Sequence, residues 1–390
     1  MDLSLTAYME GVLQQTVSAF HRYMYSQVSW QTRMFGFVGP RGVGKSTMIL
    51  QYIKEHRDSH KMFYASADHL YFSSHTLVEL VDEFAKEGGE QIFIDEIHKY
   101  ENWSRELKQI YDSHPDIKVG FTGSSVLDIY KGYADLSRRA PIFMMQGLSF
   151  REYLGLFHQI EVPTYTLKDI IEQKAKLPGI DHPLPLFRDY LMRGYYPFAT
   201  ESDFELRLRQ VINQTMEVDI PLYAKMNVST GRKLKKLLAV ISQSVPFKPV
   251  MDSIATIIGV SRNVLPDYFL YMEQAGMIGQ LRDDTGGIRG LGKVDKVYLD
   301  NATIAHLLDG KSADIGNIRE TFFYNQMRVT TDVISSRLSD FEIDGKTFEV
   351  SGKKKGKKQI SGASEGYVVR DDIEYGSGNI LPLWAFGLTY

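Results

Sequence analysis

The chain has 390 residues, 43% of them apolar and 24% charged, with a formal net charge of −3 and no cysteine. That balance suits a globular protein with roughly two to four domains and excludes a wholly basic nucleic-acid binder. The missing thiol excludes disulfides, thiolate metal sites and a cysteine nucleophile.

No uninterrupted apolar run of about 18 residues predicts a membrane span. MDLSLTAYMEGV lacks the basic-then-apolar pattern of a secretory leader, so no membrane association and a cytoplasmic setting are expected.

In chain order, a predicted strand at Met34–Val38 runs directly into Gly39, Pro40, Arg41, Gly42, Val43, Gly44, Lys45, Ser46 and Thr47. Gly39, Gly44, Lys45 and Ser46 fill the fixed positions of G-x-x-x-x-G-K-[ST], a loop whose N–H groups cradle nucleotide phosphates. Glycines allow the tight fold, and the following helix points its positive end at the anion. Lys45 is expected on the β- and γ-phosphates and the Ser46 hydroxyl on Mg²⁺.

Four more strands are predicted, at Met62–Ser66, Gln91–Ile94, Lys118–Thr122 and Ile142–Gly147, alternating with helices as in a parallel α/β sheet. Thr76 and Glu79 read as a capping box, with Leu77, Leu80, Val81 and Phe84 on one face. Trp103, Leu107 and Ile110 repeat that pattern, and all of these are expected core positions. The apolar run QIFIDEIHK delivers Asp95 and Glu96 at a strand's C-terminal edge. Asp95 is expected in the Mg²⁺ shell and Glu96 as the group that orients or deprotonates the attacking water. KVGFTGSS ends the next strand in hydroxyls, placing Thr122 near the γ-phosphate, with Ser124 as the less favoured substitute. No guanine-reading N-K-x-D run accompanies these motifs.

Beyond Phe150, the stretch LPGIDHPLPLF at residues 177–187 marks a hinged helical segment. Leu234, Leu237, Leu238 and Ile241 predict a helix whose opposite face carries Arg232, Lys233, Lys235 and Lys236, read as a solvated face. Lys248 to Leu281 read as a helix-turn-helix with its turn at Gly259–Ser261, followed by a hairpin turning at Gly286-Gly287. Its second helix, RNVLPDYFLYME, offers one arginine and many apolar side chains, which favours protein packing over DNA reading. Towards the end, a helix begins near Ile318, and strands at Ser339–Ile343 and Thr347–Val350 flank the tight turn Asp344-Gly345-Lys346, before GKKKGKK.

Taken together, GPRGVGKST, IFIDEIHKY, FTGSS, LSRRAP with GLSFREYL, RGYYPF and FEVSGKKKGKKQI resemble a family of bacterial and archaeal AAA-type ATPases that carry a winged helix and a C-terminal domain similar to PD-(D/E)XK nucleases. The resemblance implies an ASCE-type P-loop core at 1–158, a helical lid at 159–244, a winged helix at 245–310 and a small α+β nuclease-like domain at 311–390. It implies ATP with Mg²⁺ as ligands, ATP hydrolysis, a protein or nucleic-acid partner, and Arg138 or Arg139 as the arginine that stabilises transition-state charge in cis or from a neighbouring subunit. It also implies that Glu320, Asp340 and Glu349 hold a second divalent metal beside a lysine. The lysine of such a site stands two residues after the second acid, but position 351 is Ser and the first lysine is Lys353, beyond Gly352. A degenerate nuclease fold is therefore expected rather than DNA cleavage. The reading is an ATPase that moves partner-binding domains; an ATP-controlled nuclease and a non-enzymatic ATP switch are its alternatives.

Overall fold

The structure, a computed structural model, describes residues 1–57, 61–123, 136, 138–243, 246–284, 292–309, 315–352, 360 and 362–390. The chain divides into two compact units, Met1–Gly147 and Leu148–Tyr390.

In the first unit, strands β1 (Met34–Val38), β2 (Met62–Ser66), β3 (Gln91–Asp95), β4 (Lys118–Gly123) and β5 (Ile142–Met144) form a parallel sheet in the order β2-β3-β4-β1-β5. β1, β2 and β3 are buried along their whole length, which explains their unbroken apolar runs. The helices are α1 (Leu3–Gln15), α2 (Met24–Gln27), α3 (Lys45–His56), α4 (Leu77–Lys86) and α5 (Trp103–Ser113). The Thr76/Glu79 capping box forms at the start of α4, and Leu77, Leu80, Val81 and Phe84 are buried. Trp103, Leu107 and Ile110 of α5 are buried likewise. Trp30 stacks on Tyr52, with ring centroids 4.0 Å apart, and borders Phe35, Phe37 and Phe93, so one aromatic cluster joins α3 to β1 and β3.

The sheet order matters most for chemistry, because β4 lies between β1, which carries the loop, and β3, which carries the acids. β3 and β4 extend through Asp95 and Gly123, so Asp95 and Thr122 sit within the sheet edge. β5 is shorter than the apolar run suggests. It stops at Met144 because the carbonyls of Gln146 and Gly147 turn to the Arg22 guanidinium.

The second unit begins with the helix Phe150–His158, which the sequence pattern attaches to the first domain. Its reason for belonging here is packing: Leu148 N–H donates to Tyr195 O, the Tyr190 hydroxyl donates to Leu148 O, and Phe150 meets Phe187 edge-on. The basic helix forms as Val228–Ser242, with Leu234, Leu237, Leu238 and Ile241 buried. Helices Met251–Ile258 and Leu265–Gln274 flank Gly259, which takes a φ of 70°. Antiparallel strands β6 (Ile278–Arg282) and β7 (Val294–Leu299) follow, and Gly286-Gly287 lies outside the described residues. After helix Ile315–Met327, strands β8 (Ile334–Ser335), β9 (Phe341–Ile343), β10 (Lys346–Ser351), β11 (Gly366–Arg370) and β12 (Ile380–Pro382) form a mixed sheet in sequential order. Asp344 and Gly345, at φ 50° and 74°, join β9 to β10 with the paired positive φ of a type I′ turn. Among the described residues no helix is long and apolar enough to cross a membrane.

Candidate active site

The loop between β1 and α3 is shaped by its glycines. Gly39, Gly42 and Gly44 take φ of 148°, 78° and 98°. A Cβ at Gly39 would stand 2.1 Å from Met145 O, so both conformation and space demand glycine there. Gly44 caps α3 and leaves the orphan N–H groups of its first turn facing the loop's concavity, as an anion site requires. Arg22, 6% exposed, donates to Val43 O and to the carbonyls of Gln146 at 2.7 Å and Gly147 at 2.9 Å. It ties the loop to the segment after β5. Sequence reasoning missed this arginine because no motif surrounds it.

Lys45 lies folded against its own loop, with Nζ donating to Gly39 O and Pro40 O, both at 2.8 Å. Burial lowers its pKa to about 8, while the charges of Glu96 and Asp95 pull the other way. Asp95 is the hub. Its Oδ1 accepts from the Ser46 hydroxyl at 3.0 Å and from the Thr122 hydroxyl, and its Oδ2 accepts from the Tyr64 hydroxyl at 2.7 Å. The Glu96 N–H donates to Thr122 Oγ1 at 3.0 Å, linking the two acidic positions through one hydroxyl. Glu96 takes a φ of 50°, and its Oε2 lies 3.4 Å from His98 Nε2. That αL turn carries Glu96 out of the strand line, leaving its side chain one-quarter exposed, whereas Asp95 stays buried.

Ser46 and Asp95 offer hard oxygen donors at the mouth of the loop, and this donor set fits Mg²⁺. Such an ion, once bound with a nucleotide, would neutralise phosphate charge. The chain's own residues hold its ligands in place beforehand. Tyr64 was not foreseen from the sequence, since its role depends on β2 pairing with β3. Ser124 lies outside the described residues.

The arginine pair is placed elsewhere. Arg139 is held by Asp112 at 3.2 Å and lies 5.7 Å from the centroid of the Tyr111 ring, which Arg33 also covers at 3.9 Å. Arg33 precedes β1 and Arg139 precedes β5, so this cluster occupies the N-terminal edge of the sheet. The loop lies at the other end of β1, a strand of five residues that spans about 17 Å. Arg138 is exposed. Neither arginine is gathered with Lys45, Asp95 and Glu96.

The acids of the second unit form a different arrangement. Lys296, from β7, stands 3.3 Å from Asp340 Oδ1 and 3.9 Å from Glu320 Oε2. The Tyr298 hydroxyl donates to Glu320 Oε2 at 2.9 Å, and Val350 N–H donates to Asp340 Oδ2 at 3.0 Å. Glu349 Oε2 accepts from the Ser339 hydroxyl. Glu320 and Asp340 therefore meet at a lysine rather than around a shared metal position, and among the described residues no three acids or histidines are grouped to hold a metal. The divalent site implied by the nuclease resemblance does not fit this geometry. β10 ends at Ser351, and Lys353 lies outside the described residues.

Residues 31–154 match the family described as an AAA domain, and residues 184–314 match a domain of unknown function (DUF8612). No curated protein matches the chain. Among solved structures it is similar to the Walker-type ATPase PABY2304 of Pyrococcus abyssi, at 12% identity and TM-score 0.47, over 74% of this chain and 95% of that one. AMPPCP-bound DnaA from Aquifex aeolicus follows at 12% identity and TM-score 0.26, over 70% and 89%. A DNA replication initiation factor matches at 10% identity and TM-score 0.25, over 70% and 95%. With its β2-β3-β4-β1-β5 sheet and glycine-shaped loop, the segment 31–154 that matches the AAA domain has the parallel α/β fold of a P-loop domain.

Proposed function

We propose that the protein binds ATP with Mg²⁺, hydrolyses it, and uses turnover to shift its C-terminal domains, a winged helix among them, against a protein partner. One observation carries the reading: the adjacent strands β3 and β4 and the start of α3, which follows the loop after β1, bring Lys45, Ser46, Asp95, Thr122 and Glu96 together, with Asp95 bonded to hydroxyls from α3 and β4. In this reading the N–H groups of Gly42 to Thr47 bind the phosphates, and Lys45 leaves the carbonyls of Gly39 and Pro40 for the β- and γ-oxygens. Ser46 and Asp95 hold the metal, Thr122 senses the γ-phosphate, and Glu96 orients and deprotonates water.

The surface of helix Leu265–Gln274 favours a protein over DNA. It exposes Pro266, Asp267 and Leu270, and the neighbouring Arg262 is paired with Asp252 at 3.1 Å. Such a face lacks the base-edge donors of a DNA reader. Cleavage of nucleic acid by the second unit is disfavoured by Lys296, which meets Glu320 and Asp340 where a metal would be needed. Arg138 or Arg139 would act, if at all, on a nucleotide held by a second copy, which makes an oligomer part of the proposal.

The test is a pair of variants. Lys45→Ala is expected to abolish ATP binding, and Glu96→Gln to keep binding while turnover stops. Wild-type turnover by Glu96→Gln would remove Glu96 from its role. A wild-type rate no faster than ~10⁻³ s⁻¹, that of an unassisted GTPase, would make the protein a switch instead.

A further inference from the structure

The phosphate-loop residues, the acids and Thr122 are what the sequence motifs assign; Tyr64 and helix α1 are not among them. We infer that Tyr64 is a positioning residue for the metal-binding carboxylate of Asp95, and that α1 holds Tyr64 in place through Tyr8 and Met9. The inference rests on the ATPase reading above.

Strand geometry explains why Tyr64 can reach Asp95. The β2–β3 register sets Ser66 beside Asp95, and Tyr64, two residues earlier on β2, points to the same face. Its long side chain runs along the strand and ends with the hydroxyl 2.7 Å from Asp95 Oδ2. The residue is 2% exposed, so water does not compete for that bond. Asp95 then has one oxygen committed to Tyr64 and the other shared by Ser46 and Thr122. With both oxygens bonded to different elements, the carboxylate cannot rotate, and Oδ1 stays aimed at the hydroxyl that ligates the metal. Mg²⁺ demands near-ideal octahedral geometry, so a ligand that wanders costs affinity.

The support behind Tyr64 comes from α1, which lies outside the matched segment 31–154. β2 is an edge strand of the sheet, and its Tyr64 N–H finds the Met9 sulfur at 3.3 Å. The Tyr8 ring lies against that of Tyr64, with centroids 6.2 Å apart and planes inclined by 19°. A chain of contacts therefore leads from α1 through Tyr8 and Tyr64 to Asp95. Anything that lifts α1 off β2 would loosen the metal ligand without touching the phosphate loop.

Tyr64→Phe keeps the ring and its packing and deletes only the hydroxyl. In the full chain, Mn²⁺ binding followed by electron paramagnetic resonance with a non-hydrolysable ATP analogue should weaken by about 10- to 100-fold, the usual cost of removing an outer-shell partner. Affinity for the same analogue in EDTA should stay within about twofold of wild type, while the thermal midpoint falls by the few degrees that one lost buried hydrogen bond costs. Tyr8→Leu, which breaks the contact chain one step further out, should weaken Mn²⁺ binding in the same direction by less. Unchanged Mn²⁺ binding in Tyr64→Phe would overturn the inference, because a purely structural tyrosine predicts that result. Unchanged binding in Tyr8→Leu alone would remove α1 from it. If wild type itself fails to bind the analogue, the ATPase reading fails first, and the two failures are distinguishable.

Discussion

Two acidic clusters, one in each unit, solve the problem of keeping carboxylates buried in opposite ways. Around Asp95 the donors are neutral: hydroxyls from Ser46, Thr122 and Tyr64 satisfy the oxygens, and the nearby cation of Lys45 is parked on backbone carbonyls. The negative charge is solvated by dipoles but not cancelled, and it remains available to a metal ion. Around Glu320 and Asp340 the donor is itself a cation, Lys296, supported by Tyr298 and a backbone N–H. That charge is already spent. The comparison teaches that counting acids does not identify a metal site; what matters is whether the protein's own donors to them are charged.

The largest effect expected from breaking this contrast is in the second unit. Lys296, Glu320 and Asp340 have side chains 11%, 11% and 15% exposed, so removing the lysine takes a largely buried cation away from two carboxylates. Lys296→Met is expected to cost about 3–5 kcal/mol in denaturant unfolding, the usual penalty for breaking a buried pair. The triple variant Lys296→Met, Glu320→Gln, Asp340→Asn should recover most of that loss, since no buried charge then remains unpaired. Mn²⁺ should stabilise Lys296→Met more than the nucleotide-free wild type or the triple variant, because only the first keeps both carboxylates without the lysine's charge beside them. A single variant as stable as wild type would show that the lysine is not the acids' counter-ion.

A smaller effect is expected from the equivalent change in the first unit. Thr122→Val preserves shape at a fully buried position, removes one donor from Asp95, and strips the Glu96 N–H of its acceptor. The cost should be about 1–3 kcal/mol, that of one orphaned buried donor, again read from the denaturant midpoint. ATP binding should survive while turnover falls, because Asp95 keeps Ser46 and Tyr64. A loss as large as that of Lys296→Met would erase the contrast between neutral and charged supports.

What could be read in the sequence follows the same line. The loop with its lysine is one contiguous run and the two acids are another, each after a strand that is an unbroken apolar run, so local pattern suffices to find them. Asp344-Gly345 is legible for the same reason, since a type I′ turn needs positive φ at two successive residues. Tyr64 and Arg22 are silent in the sequence because their partners, Asp95 and the Val43 carbonyl, are set by strand order and by a segment after β5. Lys296 was missed because it reaches Asp340 from another sheet, 44 residues away along the chain. The first lysine after β10 in sequence, Lys353, would share a face with Glu349 only if the strand ran on through Gly352, and β10 ends at Ser351.

The smallest stability change is expected at Arg139, and it decides an arrangement that stability alone cannot. Its side chain is 28% exposed and Asp112 is 52% exposed, so the pair should contribute only ~0–1 kcal/mol, and Arg33 still covers the Tyr111 ring when Arg139 is removed. Arg139→Ala should therefore unfold at nearly the wild-type denaturant concentration. Any large loss of ATP turnover must then come from chemistry, where a transition-state arginine is worth about 10³–10⁵ in rate. The cluster of Arg139, Asp112 and Tyr111 lies at the opposite edge of the sheet from Lys45, so that chemistry has to take place on another copy's nucleotide. Mixing Lys45→Ala with Arg139→Ala pairs an intact loop with an intact arginine across an interface, and turnover should return in the mixture though neither variant works alone. A large loss with no return on mixing would mean that Arg139 acts within its own chain, which would require the segment before β5 to leave the position it holds here.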